Sequence, residues 1–131
     1  MYNDIIINYS KNPVNKEELD VFDIEYFEEN DSCGDELKVY IKIEDNKIKS
    51  WSFTWDAAII TTACASIFWE KIIWMSLEEV LKKDYNFIKE IIETDVSSRR
   101  KNASVLWLLT THNAIHKFLW DSIEETFDDV I

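Results

Sequence analysis

The run Leu37-Lys38-Val39-Tyr40-Ile41-Lys42-Ile43-Glu44 has an apolar side chain at every odd position. Asp45-Asn46 follows it, and Lys47 to Trp55 continues with Trp51, Phe53 and Trp55 on one face. A period of two marks a half-buried strand, and two such runs across a two-residue loop close as a hairpin, so the sheet is antiparallel. Upstream, Phe22, Ile24 and Tyr26 alternate with Asp23 and Glu25 between Val21 and Glu28 and predict a further strand. The polar turn Asn30-Asp31-Ser32-Cys33-Gly34-Asp35 links that strand to the hairpin.

After Asp56 the period changes. Asp56 is the expected N-cap of a helix from Ala57 to Ile72 or Ile73. Ser76 and Glu79 have capping-box spacing and open another helix. Phe87, Ile88, Ile91 and Ile92 have helical spacing between Tyr85 and Glu93, and a long helix is expected from Ser98 to Phe118 or beyond. Residues 3–9 predict a short opening helix capped by Asn3 or Asp4, which Pro13 and Asn15 break. Strands followed by helices predict an α+β class, a three-stranded antiparallel sheet with helices on one face. The 131 residues carry no repeat or linker and fit one domain, 1–131.

With 26 acidic and 14 basic residues the formal charge is −12, an acidic balance that argues against nucleic acid and anionic membranes as partners. A hydrophobic fraction of 47% excludes intrinsic disorder. No apolar run reaches a membrane-spanning length, and Met1-Tyr2-Asn3-Asp4-Ile5 shows no secretory pattern. Cys33 and Cys64 are too few for a disulfide framework and point to a reducing, cytoplasmic setting. Gly34 is the one glycine, so the backbone there is expected to need it.

In Ser32-Cys33-Gly34-Asp35 a thiolate and a carboxylate two residues apart could face one metal ion, although an ordinary turn with a free cysteine reads the same way. Cys64 reads as a small buried helix residue. His112 and His116 are an i, i+4 pair able to hold zinc, but no third ligand is evident, so they read as structural or solvated. Trp69, Trp74, Trp107 and Trp120 lie among apolar neighbours and are expected mostly in the core, with at least one aromatic patch left as a partner surface. The acidic tail, Glu124-Glu125 and Asp128-Asp129, reads as a solvated helix face.

Taken together the motifs resemble the U-type iron–sulfur cluster scaffold family (IscU, the NifU N-terminal domain, SufU). Tyr9-Ser10-Lys11-Asn12-Pro13-Val14-Asn15 is similar to the family's opening H-Y-x-N-P-x-N, and Asn30 to Asp35 is similar to N-x-x-C-G-D. Phe53 to Ser66, with Ala63-Cys64-Ala65-Ser66, resembles the strand-to-helix segment F-x-x-x-G-C-x-x-x-x-A-S-x-S. Ser76-Leu77-Glu78-Glu79-Val80-Leu81 follows as in the family, and Arg100 to Trp107 resembles R-x-x-C-x-x-L-x-W. The resemblance implies an antiparallel sheet flanked by helices, a cluster or iron as cargo, a non-enzymatic scaffold role, and a cysteine desulfurase or another assembly protein as partner.

The chain departs from that pattern at its chemical centre. The resemblance places the first pocket cysteine on Cys33 and the aspartate on Asp35, with Gly34 permitting the turn. It places the second and third cysteines on Ala58 and Ala103, and the neighbouring glycine and histidine on Ala57 and Asn102. Two of three thiolates are missing, Asp95-Val96-Ser97-Ser98-Arg99 replaces the L-P-P-V-K segment, and the SufU-type insertion is absent. Cys64 lies about 9 Å along the helix from position 58, and His112 about 13 Å from position 103 on the opposite face, so neither substitutes. Asp56 is the nearby surrogate. Three readings follow: a scaffold with a reduced Cys33–Asp35 pocket, an interaction protein that keeps the fold without the cluster, or a zinc variant using Cys33, Asp35 and Asp56. A four-ligand site would need a homodimer sharing two such pairs.

Overall fold

The computed structural model describes residues 4–30, 35–54, 57–92 and 96–131, and the side chains of all of these except residues 98 and 99. Helix α1 (Asp4–Lys11) precedes strands β1 (Ile24–Asn30), β2 (Asp35–Glu44) and β3 (Lys47–Thr54). Helices α2 (Ile59–Ile72), α3 (Leu77–Leu81), α4 (Tyr85–Ile92), α5 (Ser98–Leu119) and α6 (Phe127–Val130) follow. The sheet is antiparallel in the order β1-β2-β3, as the alternation predicts. Among the described residues, no helix is long and apolar enough to cross a membrane.

The β2–β3 turn is built by Asp45 (φ 52°) and Asn46 (φ 62°). Both are left-handed, which a tight primed hairpin turn requires and which short polar side chains tolerate. Register pairs Val39 with Phe53 and Ile41 with Trp51, all buried on the helix-covered face. A shift beside Lys42 and Ile43 pairs Ile43 with Ile48 and leaves Lys49 unpaired. That extra residue inverts the parity of the strand, so Ile48 enters the core while Lys49 faces water.

The other face is not bare. Tyr40 is buried there with Phe22 edge-on at 5.4 Å, and its hydroxyl bonds Thr54 Oγ1 at 3.2 Å. The N-terminal segment also reaches β3, where Phe53 N–H donates to Asn15 O at 3.1 Å and Asn15 Nδ2 donates to Ala65 O of α2.

Apolar residues surround α2 on nearly every side. Ile60, Ala63, Cys64, Ala65, Phe68 and Ile72 are all buried, with α1, α5 and β3 packed around the helix. Trp107 of α5 stacks on Phe68 at 5.3 Å and meets Trp51 edge-on at 6.1 Å, while Trp51 Nε1–H donates to Thr111 Oγ1 at 2.8 Å. Aromatic pairs of this kind add to the stabilisation from area burial alone. Ser76 caps α3 by accepting the Glu79 N–H, as its spacing predicts.

Three expectations are corrected. Strand β1 begins at Ile24 and runs to Asn30, two residues beyond the predicted end. Trp74 is exposed with φ 66°, and Trp120 is 91% exposed, so neither belongs to the core. Trp107 is fully buried and Trp69 half-buried. Helix α2 starts at Ile59 rather than Ala57, for a reason that lies in the candidate site.

Candidate functional site

Asp35 opens β2, pairs across the ladder with Asn30, and is only 3% exposed. Its Oδ1 accepts the Ala58 N–H at 2.5 Å and its Oδ2 accepts the Thr61 hydroxyl at 2.8 Å. Ala58 is the N-cap of α2 and has no side-chain oxygen, so a carboxylate from a neighbouring strand performs the capping. Its negative charge also opposes the positive end of the helix dipole. Asp56, the predicted N-cap, lies outside the described residues, but the cap position falls two residues later, because Asp35 fixes the first free N–H. Each oxygen of Asp35 still has a second lone pair, so capping does not use the full acceptor capacity of the carboxylate.

The remaining corners are Ala58 and Ala103. Ala58 is exposed and touches Asp35 through its N–H. Ala103 is buried in α5, and its neighbour Asn102 shares a depression of about 340 Å³ with Asn30, the ladder partner of Asp35. The structure therefore brings Asp35 and Ala58 into contact across 23 positions of sequence, and it sets Asn102, next to Ala103, on a depression that runs from Asn30 to Glu124 and Glu125. Cys33 and Gly34 lie outside the described residues. Cys64 faces the core of α2, fully buried, and burial pushes its thiol up to about 12. It takes no part in the site.

The densest polar constellation lies elsewhere. His112 and His116, one turn apart on α5, both reach Glu125 from the C-terminal segment. His112 Nδ1 meets Oε1 at 2.9 Å, and His116 Nε2 meets Oε2 at 2.6 Å. His112 Nε2–H donates to Val80 O at 2.7 Å, and His116 Nδ1 meets Asp121 Oδ2 at 2.7 Å. Asn113 completes the clasp. Its Oδ1 accepts the Glu125 N–H at 2.7 Å, and its Nδ2 donates to Glu125 O and to Glu28, both at 3.1 Å.

Burial pulls His116 down, but hydrogen bonds and charges from Asp121 and Glu125 outweigh it and hold the ring above its ordinary value. Burial pushes Glu125 up, yet the two imidazoles outweigh that and lower it. The hydrogen bond from His116 likewise lowers Asp121.

The structural reading of the histidine pair holds, and the reading of Glu125 as solvated is corrected. Sequence reasoning missed Glu125 and Asp121 as histidine partners. The available signal was two acids shortly after a helix whose last two turns carry histidines. Among the described residues, no three His, Cys, Asp or Glu side chains are disposed to hold a metal ion.

Comparison with known proteins agrees with this architecture. The family model for the NifU-like N terminal domain matches residues 1–124. The iron–sulfur cluster assembly scaffold protein IscU of Thermotoga maritima is 34% identical over 80 residues, covering 61% of this chain and 56% of that protein. IscU 1 of Archaeoglobus fulgidus is 28% identical over 92 residues, covering 70% of this chain and 60% of that protein. The matches thus span little more than half the length of these relatives.

Among solved structures, the putative scaffold protein for the SUF system from Fervidobacterium islandicum AW-1 superposes with a TM-score of 0.77 at 22% identity, covering 87% of this chain and 96% of its own. The N-terminal NifU-like protein of Brucella abortus gives 0.74 at 16% identity, covering 93% and 96%. These two likenesses speak for the fold. The family match extends from the first residue to the clasp, over the same succession of hairpin, capped α2 and long α5. The chain belongs to the NifU-like N-terminal domain family.

Proposed function

We propose that this protein works in iron–sulfur cluster assembly as a reduced scaffold, a carrier rather than a catalyst, which engages iron or a cluster through Cys33 and Asp35. The supporting observation is that Asp35 bonds the Ala58 N–H, while its ladder partner Asn30 shares a depression with Asn102, the neighbour of Ala103. A cysteine desulfurase or another assembly protein is the fitting partner, since the relatives are named as assembly scaffolds, and the scarcity of cysteine suits a cytoplasmic setting.

A cluster or zinc ion wants four protein ligands, and one chain offers a thiolate and a carboxylate. The test restores the corners. Ala58→Cys with Ala103→Cys, reconstituted anaerobically with iron and sulfide, is expected to bind stoichiometric metal and to develop sulfide-to-iron absorption, with the native chain binding less. Unchanged metal content in the double variant would sink the pocket reading.

A second reading is favoured by the engagement of both Asp35 oxygens in closing α2. In that case the fold serves as an interaction module without cargo. A colourless, metal-free native protein that still binds a desulfurase on a column would establish it. Sedimentation with and without iron and sulfide checks the shared-site homodimer, which a monomer at tens of micromolar eliminates.

A further inference from the structure

Helix α5 passes into its C-terminal segment through two left-handed residues, Trp120 (φ 56°) and Ser122 (φ 62°), neither of them glycine. A Cβ in that region is costly, so the segment keeps this course only because other contacts hold it there. Those contacts are the clasp. Beyond them Val130 of α6 is fully buried, so residues 120–126 form a strap fixed at both ends.

Four contacts of the clasp involve imidazole nitrogens, and every partner is an acceptor. His112 Nε2 faces Val80 O at 2.7 Å, and its Nδ1 faces Glu125 Oε1 at 2.9 Å. His116 Nε2 faces Glu125 Oε2 at 2.6 Å, and its Nδ1 faces Asp121 Oδ2 at 2.7 Å. Each contact needs a proton, and two neutral imidazoles bring only two, since a neutral ring carries one N–H. The closed strap therefore holds two protons more than neutral rings beside ionised carboxylates do. Without them, two of these contacts set a nitrogen lone pair against an acceptor oxygen at 2.9 Å or less.

The surroundings agree with that count. Burial opposes charge on His116, yet Asp121 and Glu125 outweigh it and hold the ring above its ordinary value. Asp23, Tyr26, Lys117 and Glu124 line the groove that His116 borders; Glu124 favours a charged ring and Lys117 opposes it. Asp23 is paired with Lys42 at 3.6 Å. The Tyr26 phenol, which burial and the charges of Glu28 and Glu124 hold above its ordinary value, stays neutral. Glu28 takes the Asn113 amide, and Asp129 of α6 caps Thr126.

The strap walls two depressions that both lie between β1 and α5. One, of about 700 Å³, has Tyr26, His116 and Ile123 in its lining; the other, of about 340 Å³, has Asn30, Asn102 and Phe127. Glu124 lines both, so a lifted strap joins them into one trench from Tyr26 to Asn102, the neighbour of Ala103.

We propose that residues 120–126 are a proton-held strap, kept across the trench between β1 and α5 by two protons shared among His112, His116, Glu125 and Asp121, and released when those protons leave.

Because the closed strap binds more protons than the open one, opening rises with pH, by up to about tenfold per pH unit for each proton released. The test is hydrogen–deuterium exchange of the full chain from about pH 6 to pH 9, corrected for intrinsic chemistry, with peptides covering 119–126 compared with 37–43 of β2. In the native chain the ratio of strap to β2 exchange should climb towards about a hundredfold per pH unit. Glu125→Gln brings an N–H of its own to His112 Nδ1, which lowers the count to one proton and the slope to about tenfold. Adding Asp121→Asn brings another N–H to His116 Nδ1, and the ratio should then be independent of pH. If the double variant does not fold, the slope of Glu125→Gln alone decides. A native ratio that ignores pH, variants that keep the native slope, or loosening of β2 together with the strap would each overturn the proposal. Metal content is not read in this experiment, so its failure leaves the cluster test intact.

Discussion

The two ends of α5 are furnished in opposite ways. At the N-terminal end, where the family resemblance expects thiolates, stand Ala103 and Asn102, and the nearby Asp35 carboxylate already caps α2. Near His116, two imidazoles, two carboxylates and an amide interlock to fasten a segment without regular structure. Polar groups buried together are stable only when their bonds are satisfied. At the clasp all four imidazole nitrogens have partners, which makes it structural. At the Asp35 corner the satisfied groups belong to the backbone and to Thr61, leaving the alanines without chemistry of their own. One end has a carboxylate that closes a helix, and the other has a clasp that fixes a segment.

The sharpest way to break that contrast is Glu125→Ala. It strips a partner from each buried histidine, and removal of one member of a buried polar pair costs about 3 kcal/mol. Urea denaturation should show that loss; a change below about 1 kcal/mol would reduce the clasp to surface decoration. Next comes Asp35→Ala, which leaves the Ala58 N–H and the Thr61 hydroxyl unpaired and should lower stability by about 2 kcal/mol, with Asp35→Asn intermediate. If Asp35→Ala proved neutral, the carboxylate would be free for metal, and the two ends would differ less than argued.

A smaller effect comes from pH. His116 is raised above its ordinary 6.5, so its contribution is complete below 6.5 and fades as pH rises through the raised value. Glu125 is lowered below its ordinary 4.5, so its contribution is complete above 4.5 and fades as pH falls through the lowered value. Thermal unfolding should therefore show a plateau between these two ordinary values, with the alkaline decline flattened in His116→Gln. A Tm still rising above neutrality would contradict it. The smallest effect is Trp120→Gly, expected to leave stability unchanged or raise it by about 0.5 kcal/mol, since glycine relieves the left-handed backbone. A marked loss would show that the indole serves the fold after all.

The reach of the sequence can be argued from single residues. Asp45-Asn46 was legible because a two-residue turn uses only local sterics. The α2 boundary was not, because its cap comes from Asp35, a residue 23 positions away on a strand. Ile48 illustrates the same limit, since strict alternation places it outside and a one-residue bulge brings it in. Glu125 looked like one of several acids on a solvated face until α5 supplied two imidazoles to it.

By itself the sequence determined the hairpin, the succession of helices, the collinear family motifs and the alanines at positions 58 and 103, because periodicity, turn chemistry and residue identity are local properties. Only the tertiary structure decided which carboxylate closes α2, which acid holds the histidines, and that Trp120 stands in water rather than in the core. Those outcomes depend on through-space pairing between distant segments, and no window of the chain contains both partners.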